Sequence, residues 1–365
     1  MAVRILHIVT YMGRGGLETM LMNYYRHIDR EKIQFDFLVH REFEADYDAE
    51  IKELGGKIYH ISKLVPWSNS YKKKLKSFFM EHPEYKIVHV HQDCLSSVAL
   101  KCAKECGIQV RIAHSHSSSA VKNIKYFIKL YYMKQIPKYA TEMFACGKLA
   151  GDWMFCGKDY QIINNAVDIK KYRYSEQENQ KMREQLKLND KVVIGHVGNF
   201  TSAKNHEFLL RIFKAIVQKE PNARLLLVGG GENGKKIKKK AKELSIEDKV
   251  LFMGVRTDVN KLMQCMDVFV FPSLYEGLPV TIIEAQASGL PCVISDRVSN
   301  ECIVTKEFVT ILKLSDTTEQ WAEHVLLRAK QSHMDTSSAI IEAGYDIHTA
   351  AKRLENYYLQ KYGEK

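Results

Sequence analysis

Short apolar runs alternate with longer segments of helical periodicity along the whole chain. In the first half, the runs at 3–10, 33–40, 57–61, 87–91, 109–114, 142–146 and 161–164 predict strands. Helices are predicted between them over 18–28, 47–54, 70–81, 95–106, 119–135 and 148–155. The second half repeats the alternation, with strands near 192–197, 224–228, 249–253, 267–271, 291–295 and 309–313. Its helices fall near 205–219, 234–244, 257–265, 280–288, 317–330 and 333–344. Strands this uniformly apolar, separated by amphipathic helices, form parallel sheets covered on both faces, an α/β fold. Such sheets bind ligands beyond the carboxyl ends of their strands. A polar stretch from about 168 to 190 separates the two blocks and predicts the boundary between domains 1–167 and 168–345. The last segment, 348–362, is helical, with Leu354, Tyr357 and Tyr358 on one side.

Length agrees with two domains: 365 residues give each block enough chain for its own core. The chain is 45% hydrophobic and 27% charged, and no apolar run reaches the roughly 18–20 residues needed to span a bilayer. The opening Val3-Arg4-Ile5-Leu6-His7-Ile8-Val9 is a strand with a charge inside it, unlike a secretory signal, so a cytoplasmic location is expected. Eight cysteines include no Cys-x-x-Cys pair and read as reduced core thiols. The net charge of +11 is concentrated in lysines at 72–76, 122–138 and 235–242, which implies an anionic partner or surface. No pattern for reading bases accompanies it, so nucleic acid is not the expected partner.

Candidate chemistry is densest in Phe271-Pro272-Ser273-Leu274-Tyr275-Glu276-Gly277-Leu278-Pro279-Val280 and the helix that follows. Strand, tight turn and helix succeed one another, with Gly277 able to take positive φ and Pro279 suited to a first helical position. The N–H groups at such a helix start attract phosphate. Two carboxylates frame the turn: Glu276 on the loop and Glu284 about one turn into the helix, leaning back toward its start. A carboxylate beside a diphosphate is repelled unless it accepts hydrogen bonds from hydroxyls, as a ribose diol supplies. A sugar on each side of a phosphate bridge describes a nucleotide-sugar.

Glu276 and Glu284, with seven residues between them and a Gly-Leu-Pro insert, resemble the signature of retaining glycosyltransferases of family 4, of the type found in bacterial capsular and exopolysaccharide biosynthesis. The resemblance covers most of the chain and is most specific over 195–296. It implies the GT-B fold, two Rossmann-like domains whose parallel sheets face a cleft. The first would be the acceptor side, with a C-terminal helix at about 346–365 packing back on it, and the second would bind the donor. It implies a nucleotide-sugar donor, UDP- ahead of GDP- or ADP-, a saccharide acceptor, retention of configuration, and no metal or other cofactor; family habit and the basic charge together point to an acceptor carried on a lipid. By the same resemblance Glu284 holds the ribose and Glu276 the transferred sugar. Lys204 and the amides of Gly277, Leu278, Pro279 and Val280 would take the diphosphate, Pro279 contributing its position rather than a donor. In Gly198-Asn199-Phe200-Thr201-Ser202-Ala203-Lys204 the lysine matches the family, but Asn199 stands where the family has arginine, so one of two cations is missing.

Other motifs carry weaker signals. Gly13-Arg14-Gly15-Gly16 is a glycine-rich strand-to-helix turn; the resemblance places Gly15 and Gly16 at the donor phosphates, and a plain tight turn explains them equally well. Asp46-Tyr47-Asp48 matches a metal-holding Asp-x-Asp, but a solvated acidic helix start accounts for it. His89-Val90-His91-Gln92-Asp93 and His114-Ser115-His116 place histidine pairs on single strand faces. They could hold zinc or lie as core histidines. The resemblance assigns His114 to the donor sugar near the reacting carbon, with His116 next in line. The segment 119–139 is basic and aromatic: Lys122, Lys125 and Lys129 form one stripe, and Ile124, Phe127, Ile128 and Tyr131 another. It either covers the domain with a solvated lysine face or docks on an anionic membrane surface, which would place the protein peripherally at the inner face. Asn164-Asn165-Ala166-Val167-Asp168 resembles the family's crossing between domains. Gly229-Gly230-Gly231-Glu232-Asn233-Gly234 satisfies a dinucleotide fingerprint, but Gly254-Val255-Arg256 stands where the acidic ribose ligand belongs. The resemblance instead puts this turn at the nucleotide and Arg256 near the base. A nucleotide-sugar epimerase or phosphorylase on the same fold, and a zinc hydrolase built on the histidine pairs, remain alternative readings.

Overall fold

The computed structural model describes residues 2–117, 126–276 and 278–364. The chain forms two compact units, Met1–Ala166 with Ile347–Lys365, and Val167–Asp346. In the first, β1 (Val3–Ile8), β2 (Ile33–Val39), β3 (Ile58–His60), β4 (Ile87–Val90), β5 (Val110–Ser115), β6 (Glu142–Ala145) and β7 (Gln161–Ile162) form a parallel sheet in the order β3-β2-β1-β4-β5-β6-β7. In the second, β8 (Val193–Val197), β9 (Arg224–Val228), β10 (Val250–Gly254), β11 (Val268–Phe271), β12 (Cys292–Ser295) and β13 (Val309–Leu312) take the order β10-β9-β8-β11-β12-β13, also parallel. Both sheets reverse direction near the middle. Chains that wind outward in both directions leave a crevice at the reversal, at the carboxyl ends of the strands.

The strands are apolar because helices cover them on both faces; β4, β8, β11 and β12 are buried at every position. The final helix, Ile347–Gly363, lies in the first unit's core, contributing Ile347, Ala351, Leu354 and Tyr358 beside Ile5, Phe35 and Phe37. Near the end of the first block, Tyr24 donates to the Asn164 carbonyl at 2.8 Å and Asn23 to that of Ala166 at 3.1 Å.

The stretch that marks the boundary has structure of its own, and two expectations are corrected. The polar stretch 168–190 is folded structure of the second unit, carrying helices Ile169–Tyr172 and Glu176–Leu186. Its composition is polar because it docks through Ile169, Met182 and a hydrogen-bonded seam. Gln264 accepts from the Ser175 N–H and donates to the Tyr172 carbonyl, and Arg183 pairs with Asp267 at 2.6 Å. The basic segment is not one helix in its described part. Helix Tyr126–Met133 stops before a second, Ile136–Tyr139, with Pro137 in the new first turn, where its missing N–H costs nothing. Lys122, Ile124 and Lys125 lie outside the described residues. The apolar stripe also faces outward: Phe127 is 77% and Tyr131 64% exposed, so it does not cover the domain. Asp48 is buried and accepts the Ala45 N–H at 2.9 Å, leaving only Asp46 as a solvated carboxylate.

One buried charge organises the far edge of the first sheet. Asp36 on β2 has no exposed surface and takes both Arg4 Nε and Nη2 at 2.5 Å, the Tyr85 hydroxyl at 2.7 Å and the Lys57 N–H at 2.6 Å. Removing it takes the acceptor from the part-buried Arg4 guanidinium, the buried Tyr85 hydroxyl and the Lys57 N–H together. Asp36→Ala is therefore expected to destabilise the protein by about 3–5 kcal/mol, read from urea unfolding. A loss below about 1 kcal/mol, the scale of an exposed pair, would contradict this account.

Candidate functional site

Three loops leave the carboxyl ends of the adjacent strands β9, β8 and β11, where the second sheet reverses. The β8 and β9 loops are tied by backbone bonds: Gly198 N–H to the Val228 carbonyl at 2.9 Å, Phe200 N–H to Gly230 at 2.7 Å, and Asn233 N–H to Phe200 at 3.2 Å. Gly229 has φ +141°, and a Cβ there would meet the Gly198 carbonyl oxygen at 2.1 Å, so only glycine permits the approach. The β11 loop joins through the Leu274 N–H to the Ala203 carbonyl at 2.8 Å and the Asn205 side chain to the Pro272 carbonyl at 3.1 Å.

This frame brings Lys204 and Glu276 together. Their Nζ and Oε1 are 2.7 Å apart, 18% and 13% exposed, with Nζ also 4.6 Å from the Phe271 ring centre. Pro279 N-caps the helix Val280–Ala287 and offers no side-chain acceptor to its first turn, and Leu278 and Val280 are buried beside it. Gly277 lies outside the described residues. Glu284, one turn in, is buried and accepts the Tyr172 hydroxyl at 2.6 Å. Burial pushes its carboxyl up to about 7 despite that hydrogen bond. Tyr172 carries no motif in the sequence, since it sits in the polar stretch at the domain boundary; its one signal is an aromatic residue among polar neighbours. Beneath Lys204 lie buried His196, whose Nδ1–H donates to the Val270 carbonyl at 2.9 Å, and His206, lowered to about 4 chiefly by burial.

Other expected residues stand apart. Asn199 is exposed. Arg256 follows β10 at the sheet edge, exposed, and is held by Asp258 in a two-point pair at 2.8 and 2.6 Å. Gly15 N-caps the helix Gly16–His27 in the first unit, but the Glu18 carboxyl group folds back over it. A Cβ on Gly15 would come within 2.2 Å of that carboxylate. The expected phosphate turn thus already carries an anion, whose carboxyl burial raises to about 7.

The histidine pairs belong to a larger row. His7 on β1 lies in register with His89 on β4, and the rings of His7, His89, His91, His114 and His116 follow one another at centroid distances of 4.1–5.3 Å. His114 has no exposed surface; His116 is half-buried and is the accessible member. Burial holds all five neutral, with His7 and His116 lowered to about 3. His7 was missed, although its place on a predicted strand was the available signal.

Residues 177–346 match the family described as Glycosyl transferases group 1. A putative glycosyltransferase of Bacillus subtilis, EpsF, is 33% identical over 370 residues, covering 97% of this chain and 96% of that protein. The chain belongs to the group 1 glycosyl transferases. A second relative of this glycosyltransferase, the UDP-Gal:alpha-D-GlcNAc-diphosphoundecaprenol alpha-1,3-galactosyltransferase of Escherichia coli, is 26% identical over 63% of the chain and 62% of that protein. The fold is GT-B. Anabaena HepE, solved with UDP-glucose, superposes with a TM-score of 0.81 at 17% identity, over 98% of this glycosyltransferase and 99% of that chain.

Glu284 makes the glycosyltransferase's stability depend on pH. Its folded carboxyl keeps a proton up to about pH 7, whereas in the unfolded chain it releases it near the ordinary glutamate value of 4.5. The folded state therefore binds more protons across that window, and stability falls as pH rises through about 7. Glu284→Gln is expected to flatten this fall and to exceed the wild type above pH 7 by up to about 3 kcal/mol. Melting curves from pH 5 to 8 read the difference; parallel curves would show that Glu284 is already ionised when folded.

Proposed function

We propose that the protein transfers a hexose from a UDP-sugar to a hydroxyl of a lipid-linked saccharide acceptor, with retention of configuration, in cell-surface polysaccharide biosynthesis. The observation that carries this reading is the Lys204–Glu276 pair, held on joined loops beside an N-terminus that has no side-chain cap. A diphosphate there attracts Lys204 away from Glu276 and gains the helix-start dipole. Glu276, released, accepts hydroxyls of the transferred sugar. Glu284 accepts the two ribose hydroxyls, which favour its ionised form.

In the transfer, the acceptor oxygen bonds to the anomeric carbon on the face from which the diphosphate departs. The C–O bond to the β-phosphate breaks, its electron pair stays on the phosphate oxygen, and the acceptor proton moves to that oxygen. Lys204 and the helix start offset the charge on the leaving group, so no metal is required at the diphosphate. The E. coli relative's name supports a UDP donor and a lipid-diphosphate acceptor. The outward Phe127 and Tyr131, beside exposed Lys134 and Lys138, support a peripheral site on the inner face of an anionic membrane.

Melting temperatures in EDTA, with uridine, UDP, GDP and NAD as ligands, test the donor site. UDP is expected to stabilise the wild type, by about 2.7 kcal/mol at a hundredfold excess over its Kd. Lys204→Ala should weaken UDP by about 1.5–3 kcal/mol and leave uridine binding nearly unchanged. Glu284→Ala should weaken both. Equal loss of uridine and UDP in Lys204→Ala would remove Lys204 from the diphosphate, and a shift with NAD alone would defeat the reading. Retention is checked by the anomeric coupling constants of the product by NMR, where inversion would overturn the front-face route.

A further inference from the structure

The five histidines of the first unit sort into a set of three and a pair that holds it. His91, His114 and His116 each offer one ring nitrogen, and these atoms lie within 4.8 Å of one another. His91 Nδ1 and His116 Nε2 are 2.9 Å apart, near the roughly 3.3 Å edge of a tetrahedron with metal–nitrogen bonds of 2.0–2.1 Å. In His91 and His114 the second nitrogen is engaged as a ligating imidazole requires. His91 Nε2 meets His7 Nδ1 at 3.0 Å, His114 Nδ1 meets His89 Nε2 at 3.1 Å, and His89 Nδ1 meets the Tyr358 hydroxyl at 2.6 Å. A metal-bound histidine donates its other N–H to a fixed acceptor, which sets tautomer and ring orientation.

Hydrogen bonding alone does not complete the row. His114 Nε2 is buried with no partner among the described residues, as is Oδ1 of neighbouring Asp93. Asp93 is in the left-handed region at φ 44°, and its Oδ2 accepts the Ser117 hydroxyl at 3.4 Å. A second trio, His7, His89 and His91, also has nitrogens close together, but all three are buried, whereas half-buried His116 gives the first trio an opening.

We propose that His91, His114 and His116 bind one borderline divalent transition metal ion, zinc above all, with His7 and His89 holding the ligands from outside and Asp93 beside the open side. Neutral imidazoles of this geometry suit zinc, nickel or cobalt rather than magnesium or calcium. The ion would pin β4 and β5 together, and through His7, His89 and Tyr358 reach β1 and the final helix.

The test strips the full chain with EDTA, dialyses it against zinc or cobalt, and measures bound metal by mass spectrometry. One equivalent per chain is expected, with a rise in melting temperature that EDTA reverses and the visible bands of nitrogen-ligated tetrahedral cobalt. His116→Ala should lower zinc affinity at least tenfold, and His89→Gln about 10–100-fold, the scale of an outer-shell loss. No stoichiometric uptake by the wild type overturns the proposal, as does unchanged affinity and spectrum in a folded His116→Ala. Should that variant not fold, X-ray absorption of the wild-type zinc form decides. Three imidazole nitrogens support the site, and an all-oxygen shell refutes it. The UDP measurements, made in EDTA, stand or fall separately.

Discussion

The reversal of strand order at β8 is the constraint on which the candidate site depends. Parallel strands linked by helical crossovers wind away from β8 in two directions, toward β10 on one side and β13 on the other. The loops leaving β8, β9 and β11 therefore meet, and backbone hydrogen bonds lock them at a distance that only glycine at 229 allows. Lys204 and Glu276, 72 residues apart, owe their contact to this meeting. Rigid backbone supplies what flexible side chains alone would not, a cation and a carboxylate already placed before any ligand arrives.

The site is assembled at a cost. A carboxyl buried at Glu284 is desolvated and meets only one hydrogen-bond donor by name, Tyr172. An apolar residue of similar size would pack there without that penalty. A group that destabilises the resting protein and gains partners when hydroxyls arrive is characteristic of a binding site rather than of a scaffold. With Asn199 in place of a second cation on this loop, Lys204 is the cation that the joined loops bring to Glu276.

The first unit follows the same architecture and uses it differently. Its glycine turn is covered by Glu18, and its polar investment lies in the histidine row at β1, β4 and β5, backed by Tyr358 of the final helix. Five neutral imidazoles in a core otherwise made of Ile, Phe and Tyr must satisfy one another. That requirement couples the last helix to the central strands by hydrogen bonds as well as by packing.

Local periodicity made the elements legible: a strand or helix covered by neighbours must place apolar residues at its own repeat. Thus β8–β13 and the helix Val280–Ala287 fall close to where the sequence puts them. Glu276 and Glu284 could be recognised because their spacing is set within one turn and one helix. What lay beyond reach was every relation between distant segments. Tyr172 meets Glu284 across 112 residues, and Tyr358 meets His89 across 269. Glu18 lies over Gly15 because the helix start turns the carboxylate back. Residues 126–139 break in two and turn Phe127 and Tyr131 outward, although their apolar spacing suits a covered face. Amino-acid order by itself determined where the strands and helices fall and, for those that neighbours cover, which face is buried, since burial there follows the element's own period. Only the tertiary structure decided which buried groups meet, because strand order and the crossing of loops set those distances and neither is written in local spacing.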